Sequence, residues 1–420
     1  MVNLIAHAAP QKILNGEVHN WYRIMYGYSD HLVKKLITDF GLSRGDRVID
    51  AFCGAGTTMV ECMKEGIDSV GIDANPSSIF AARVKTNWHL RPSRLLALVD
   101  EMIESEARDP IKDLPIELDR TYQYLETAGM LKRGWICPDP LRKAIRLKRR
   151  ILRTHTTPKY RDALMLALIS EITYGSSNVK FGPELYCGPR RGDVDVLAGF
   201  ALRARKMASD LTTVASLSPG TVEVVRGDSR NCGQLLKNRA PGPYTAGICS
   251  PPYPTDHDYT RNARLELAFL EEVYDRDSLR LIKKQMLRSH TKNIYKGDND
   301  ALYVRDHVDI KRIVRKLERG KLNTTSGFEN LYPTVVQEYF GGMKRHLKGM
   351  KSLLRRGGFC AYVVGDQSSY FRVHIPTAEI LSSLAEEVGF KIKTIEHWRS
   401  RWSTTTSKDV VENILILQKK

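Results

Sequence analysis

The 420-residue chain has no two cysteines at C-x-x-C spacing; its seven, Cys53, Cys62, Cys137, Cys187, Cys232, Cys249 and Cys360, are scattered. Such scatter supplies neither the paired ligands of a zinc ribbon nor a disulfide framework, and it suits a reducing compartment. No apolar run approaches the roughly 18 residues that cross a bilayer. The N-terminal "MVNLIAHAAPQKILNGE" also lacks a basic region followed by an apolar core, so a cytoplasmic protein with no membrane partner is expected. Internal repeats and low-complexity tracts are missing as well. Negative charge is in short supply: 48 Asp and Glu face 65 Lys and Arg, a surplus of +17. That balance favours a polyanionic partner such as nucleic acid.

What is present is a core-forming composition, 42% hydrophobic, with a pattern that changes along the chain. From residue 47, short apolar strands alternate with amphipathic helices: "RVIDAF", a helix over about 56–65, "SVGIDA", and a helix over about 77–87. Alternation of this kind predicts a parallel sheet covered by helices. It stops near residue 89, and the next 130 or so residues read as mostly helical and basic, with eleven Lys or Arg against two Asp between 131 and 163. Strand patterning returns with "TVEVVRGD" and "YTAGICSPPY", breaks off to about 333, and resumes after a helix near 335–355. "GGFCAYVVGD", a helix over 376–388, "FKIKTIEHW" and "VVENILILQ" follow. The count is seven strands, four up to the proline pair at 251–252 and three after it.

"DAFCGAGTT", residues 50–58, sets Gly54 and Gly56 between a strand and a helix. Glycines there let the backbone approach a ligand closely, and a helix N-terminus offers free N–H groups. The run lacks the third glycine of the dinucleotide fingerprint and the Gly-Lys-Ser/Thr of a phosphate loop, so it fits neither. Asp73 closes the second strand, where an acid can accept bonds from ribose hydroxyls. Asp228 closes the third. Each alone also suits an ordinary helix N-cap; three such sites in order point to a nucleotide-like ligand.

The fourth strand ends in Ser250-Pro251-Pro252-Tyr253. Adjacent prolines stiffen the backbone and remove two N–H donors, leaving the Ser250 hydroxyl and the Pro251 carbonyl as acceptors beside an aromatic ring. The glycine loop, the two acids and S-P-P-Y, in this order, resemble the amino-methyltransferases of DNA, whose SPPY version is associated with cytosine-N4. The segment "HNWYRIMYGYSDHLVKKLITDFGL" is similar to the one that packs over the methionine part of the cofactor in that family. The resemblance covers residues 19–88, 221–253 and 335–420.

It implies a Rossmann-like α/β sheet of seven strands with helices on both faces, carrying an inserted, largely helical recognition region. It further implies S-adenosylmethionine as cofactor, held by Asp50, Phe52, Gly54, Gly56, Thr57, Thr58, Asp73, Asp228, Trp21 and Tyr22, with Ser250, Pro251, Pro252 and Tyr253 catalytic. The target amine belongs to a cytosine flipped out of double-stranded DNA. Adenine-N6 or an RNA base stands as the alternative target, and a cognate restriction endonuclease as a second partner. Residues 1–88, 220–253 and 335–420 then make up the catalytic domain. Recognition falls to the insertions 89–219 and 254–334, with Arg146, Arg149, Arg150 and Arg261 as DNA contacts. Cys249 precedes the serine and does not follow a proline, so it reads as a small buried strand residue and not as a nucleophile.

Overall fold

The computed structural model describes residues 16–22, 27–108, 115–181, 185–237, 239, 243–254, 257–322, 327–403 and 408–420. Parts of four stretches singled out in the sequence, at 1–15, 23–26, 182–184 and 255–256, lie outside the described residues.

Seven strands form one sheet: β1 (Arg47–Asp50), β2 (Asp68–Asp73), β3 (Val222–Arg226), β4 (Tyr244–Cys249), β5 (Leu354–Gly365), β6 (Phe390–Ser403) and β7 (Lys408–Lys419). Their spatial order is β3-β2-β1-β4-β5-β7-β6, and β7 alone runs against its neighbours. From β1 the chain steps outward through β2 to β3 and then returns to pair β4 with the other side of β1. The order therefore reverses between β1 and β4, and open α/β sheets take their ligands at the carboxyl ends of strands flanking such a reversal.

Strand periodicity explains the two covered faces. Val48 of β1 packs with Leu32, Leu36 and Ile248 under the helix Asp30–Asp39, whereas its neighbour Ile49 faces Met343 and Leu347 of the helix Tyr332–Leu353. The helices that follow β1 and β2, Thr57–Lys64 and Pro76–Lys85, match the sequence expectation to within two residues. The second starts on an Asn75 cap that accepts from the Ser77 amide at 3.1 Å, with Pro76 at the first helical position, where its missing N–H is of no consequence. The final strands are longer than the alternation suggested. β6 and β7 keep pairing with each other out to Ser403 and Lys408, beyond the point where β5 ends opposite Glu412.

The first insertion holds the helices Pro92–Arg108, Arg120–Thr127, Pro138–Arg153, Pro158–Glu171 and Val196–Val214, and a small hairpin, Val179–Phe181 with Leu185–Cys187. It is not detached from the sheet. Leu95, Leu141, Leu164 and Phe200 share one hydrophobic core with Ala81 and Val84 of the helix after β2 and with Leu265 and Phe269 of the helix Arg264–Phe269. In Pro138–Arg153 the buried Leu141, Ile145 and Ile151 recur at helical spacing. Burying each contributes roughly 1.5–3 kcal/mol, so this helix is fixed by its apolar face, with the buried Lys148 paired to Glu271 and its other basic residues on the flanks.

Candidate active site

The turn after β1 is built around two carboxylates. Asp50 is buried and accepts from Tyr28 Oη at 2.6 Å, Thr58 Oγ1 at 2.8 Å and the Phe52 amide at 3.0 Å. Asp73, at the end of β2, accepts from the Gly54 amide at 3.0 Å and the Asn75 amide at 2.7 Å. Asp73 thus ties the glycine turn to the neighbouring strand, and the cap of the following helix is Asn75 and not this acid. Burial pushes both carboxyl groups up to about 6.

Glycine is required at the turn. Gly54 and Gly56 adopt φ of 50° and 89°, and a Cβ on Gly56 would stand 3.2 Å from that of Ala82. Thr57, half-buried, opens the helix. A close-approach turn, the buried Asp50, the half-buried Asp73 and a helix N-terminus form a cradle with acceptors for hydroxyl groups, which fits the ribose and amino-acid portions of S-adenosylmethionine.

At the end of β4, Cys249 is fully buried and its Sγ accepts the Ala51 amide at 3.4 Å, knitting the two catalytic-edge loops together. Burial raises its thiol far above the ordinary range, which leaves it a packing residue. Ser250 follows, half-buried; Pro251 is buried, and Pro252 and Tyr253 are partly exposed. The Tyr253 amide donates to Tyr259 Oη at 3.3 Å. Its ring lies against Gly365 at the end of β5, where an added Cβ would come within 2.9 Å of Cε2.

Other residues singled out in the sequence sit as follows. Phe52 packs its ring on His346 at 4.8 Å between centroids, and His346 is itself pinned by Ser229 O at 3.0 Å and Tyr362 Oη at 2.9 Å. Asp228 lies at the end of β3 as expected, but its carboxylate is clasped by the Arg230 guanidinium at 2.7–3.0 Å and caps the Arg230 amide at 2.9 Å, so much of its accepting capacity is used within the fold.

Trp21 and Tyr22, expected at the cofactor, have their polar heads engaged elsewhere. Both are buried; Trp21 Nε1 donates to Asp210 at 3.0 Å and Tyr22 Oη to Glu266 at 2.8 Å, so each polar head is anchored in the insertions. Tyr28, further along the same segment, is the residue that reaches Asp50, and no sequence pattern separates it from its aromatic neighbours. Arg149 and Arg150, expected to contact phosphate, are paired with acids of the first insertion. Arg149 Nε donates to Asp119 at 3.3 Å, and Arg150 binds Glu106 at 3.0 Å, each with 13% of its side chain exposed. Arg146 is half-exposed on the same helix, and Arg261 is exposed beside the SPPY loop.

His19, Asp30 and Glu61 bring three ligand-type atoms together among the described residues. Lys64 stands 2.9 Å from Glu61, and Lys34 stands 3.3 Å from Asp30 and 3.4 Å from Glu61. Burial opposes ionisation of Glu61, but His19 and Lys64 outweigh it and hold the carboxyl at about 2. The group is an ion-pair cluster already neutralised by lysine, not a cation site.

A sheet ordered β3-β2-β1-β4-β5-β7-β6, with a glycine turn and two acids at the reversal point, defines a Rossmann-like α/β fold whose turn residues fit S-adenosylmethionine. Residues 27–83 match the family model of the N6 and N4 methyltransferases, described as DNA methylase. The type II methyltransferase M.BsoBI of Geobacillus stearothermophilus is 24% identical over 423 residues, spanning 90% of this chain and 79% of that protein. M.AvaI of Nostoc is 25% identical over 402 residues, spanning 90% and 80%. Among solved structures, TrmN from Thermus thermophilus overlaps 96% of this chain and 52% of its own at 10% identity and a TM-score of 0.32. The rRNA methyltransferase aviRa from Streptomyces viridochromogenes overlaps 100% and 91% at 9% and 0.32. Overlaps this loose add nothing to the strand order. The family model over residues 27–83 and the two type II relatives place the chain's likeness among the amino-methyltransferases of DNA.

With Asp50 and Asp73 as the expected cofactor acceptors, their raised values predict a pH dependence of binding. An aspartyl group with an ordinary value near 3.8 is ionised throughout the neutral range, whereas Asp50 and Asp73 gain protons as pH falls through about 6. Protonation removes the charged acceptors. Affinity for S-adenosylmethionine is therefore expected to hold above pH 7 and to fall below pH 6, by up to about tenfold per pH unit for each group coupled to binding. Calorimetry across this range, repeated on Asp73→Asn, checks it; an equally steep fall in the variant would remove Asp73 as a source.

Proposed function

We propose that this protein is a type II methyltransferase that moves the methyl group of S-adenosylmethionine to the exocyclic N4 amine of a cytosine in double-stranded DNA. The observation that carries the reading is the placement of Ser250-Pro251-Pro252-Tyr253 at the end of β4, hydrogen-bonded in register beside the β1 strand that ends at Asp50 and the glycine turn. The bound cofactor supplies an electrophilic methyl on a sulfonium. The chain's own residues do the rest.

An exocyclic amine is a weak nucleophile because its lone pair is drawn into the ring, so it must be held in line and polarised. The Ser250 hydroxyl and Pro251 carbonyl accept its two N–H bonds, and this turns the lone pair toward the cofactor edge. Tyr253, backed by Gly365, offers a ring face to a base drawn out of the stack. Once methylated, the amine would lose one proton along its hydrogen bond to the Ser250 hydroxyl and on to solvent, with the cofactor leaving as the neutral thioether. The type II relatives, matched along nine-tenths of this chain, support DNA as the substrate class.

Mass spectrometry of nucleosides from DNA of cells expressing the protein tests the target. N4-methylcytosine is expected. N6-methyladenine instead would reassign the base, and modified nucleosides confined to RNA would overturn the DNA reading.

A further inference from the structure

The second insertion contains a continuous line of charged contacts between the end of β3 and the SPPY loop. At one end, Arg230 clasps Asp228 and also donates to Asp300 Oδ2 at 2.8 Å and to the Lys284 carbonyl at 2.9 Å. Arg288 donates to the carbonyls of Lys283 and Lys284 at 3.3 and 3.2 Å, and its guanidinium is held by Asp298 at 2.7 and 2.8 Å. The carboxyl end of the helix Arg276–Gln285 is therefore gripped from two sides. From that end Lys283 Nζ reaches Asp258 Oδ2 at 2.5 Å. Asp258 in turn accepts from the Thr260 hydroxyl at 2.6 Å, the Thr260 amide at 3.1 Å and the Arg261 amide at 3.3 Å, capping the short helix Tyr259–Asn262. The first residue of that helix, Tyr259, takes the Tyr253 amide on its hydroxyl.

We propose that Lys283 is a positioning residue for methyl transfer: by holding Asp258 it fixes Tyr259, and through the Tyr253 amide it sets the SPPY loop over the cofactor edge. The proposal rests on the reading of SPPY as the catalytic loop. Lys283 and Asp258 expose only 11% and 12% of their side chains. An ion pair taken that far out of water is a poor device for stability, because a well-packed apolar pair of the same size serves as well or better. What the pair supplies is geometry. Asp258 has a charged partner in one direction and three donors in another, so it can sit in only one place, and the loop two bonds further on inherits that placement. Arg264 and Lys292 also bear on the site, so Asp258 is the acid in a basic surrounding.

The test is single-turnover methylation of unmethylated genomic DNA with labelled S-adenosylmethionine, both saturating, on Lys283→Met, Asp258→Asn, the double variant and Ser250→Ala. Asp258→Asn keeps an amide oxygen for the helix cap, so it remains informative where Lys283→Met is poorly folded. Both single variants are expected to slow methyl transfer by roughly tenfold to a hundredfold, as loop misplacement of up to about 1 Å does. Their affinity for S-adenosylmethionine should stay within about twofold, and the double variant should be no slower than the slower single one, since both act through one contact. A merely structural pair would instead lower thermal stability while leaving the rate of the folded fraction unchanged. A wild-type rate in both single variants beside a slowed Ser250→Ala overturns the proposal alone, as does a double variant slowed by the product of the two. A wild-type rate in Ser250→Ala overturns the loop assignment beneath it.

Discussion

Asp73→Ala is expected to weaken S-adenosylmethionine binding by roughly a hundredfold while the protein stays folded. Two losses combine. Hydrogen bonds to a charged acceptor contribute about 1.5–3 kcal/mol each, and on the proposed reading of Asp73 as the ribose acceptor two hydroxyl groups would meet this carboxylate, so even partial loss of the pair corresponds to about two decades in affinity. The substitution also frees the Gly54 and Asn75 amides, which Asp73 holds at 3.0 and 2.7 Å, and loosens the turn that must stay open for close approach. Opposing this, the variant removes a carboxyl that is costly to ionise where it stands, so the melting temperature should change little. Calorimetric titration together with thermal denaturation decides the matter. Unchanged affinity in a folded variant would take Asp73 out of the cofactor site.

Ser250→Ala should act at a different step. The loop keeps its shape, because Pro251 and Pro252 set the backbone, and Cys249 and Tyr253 retain their amide contacts. One acceptor for the amine disappears. The expected loss is roughly 1–3 kcal/mol of transition-state stabilisation, about five- to 150-fold in single-turnover rate, with cofactor and DNA affinities retained. Tyr253→Ala should fail otherwise, by losing the ring that receives the base: chemistry on normal duplex should suffer more than binding to a duplex with a mismatched or abasic target. Equal rates for wild type and Ser250→Ala would remove the hydroxyl from the mechanism.

The parts of this fold that could be read from the sequence are those whose causes are local. Alternating strands and helices, the glycine turn after β1 and the proline stop after β4 each follow from residues within a few positions of one another, and the sheet forms with all seven strands where the alternation put them. What escaped depends on partners far along the chain. Asp119 and Arg149 are 30 residues apart, Glu106 and Arg150 are 44, Asp210 and Trp21 are 189, and Glu266 and Tyr22 are 244. No periodicity says that a basic helix flank will meet an acid from another helix, or that an aromatic in the N-terminal segment will turn into the insertion instead of toward the cofactor. Tyr28 was hidden for the same reason: its value lies in a bond to Asp50 that only the folded turn creates. Asp228 was placed correctly by strand order, yet the Arg230 clasp could not be foreseen, since a residue two positions on is as free to point to solvent as to turn back.

The internal ion pairs have a consequence for how this molecule meets a polyanion. Every pair such as Arg149 with Asp119, Arg150 with Glu106, Arg288 with Asp298 or Lys283 with Asp258 withdraws one charge of each sign from the solvent. The surplus of +17 is untouched by this subtraction. It is carried by a smaller set of outward-facing groups, so the surface is more uniformly cationic than the ratio of 65 to 48 suggests. Counterions gather around that reduced set, and their release on contact with a phosphate backbone reports the outward-facing cations alone. The paired arginines, however numerous in the sequence, are silent in the salt dependence.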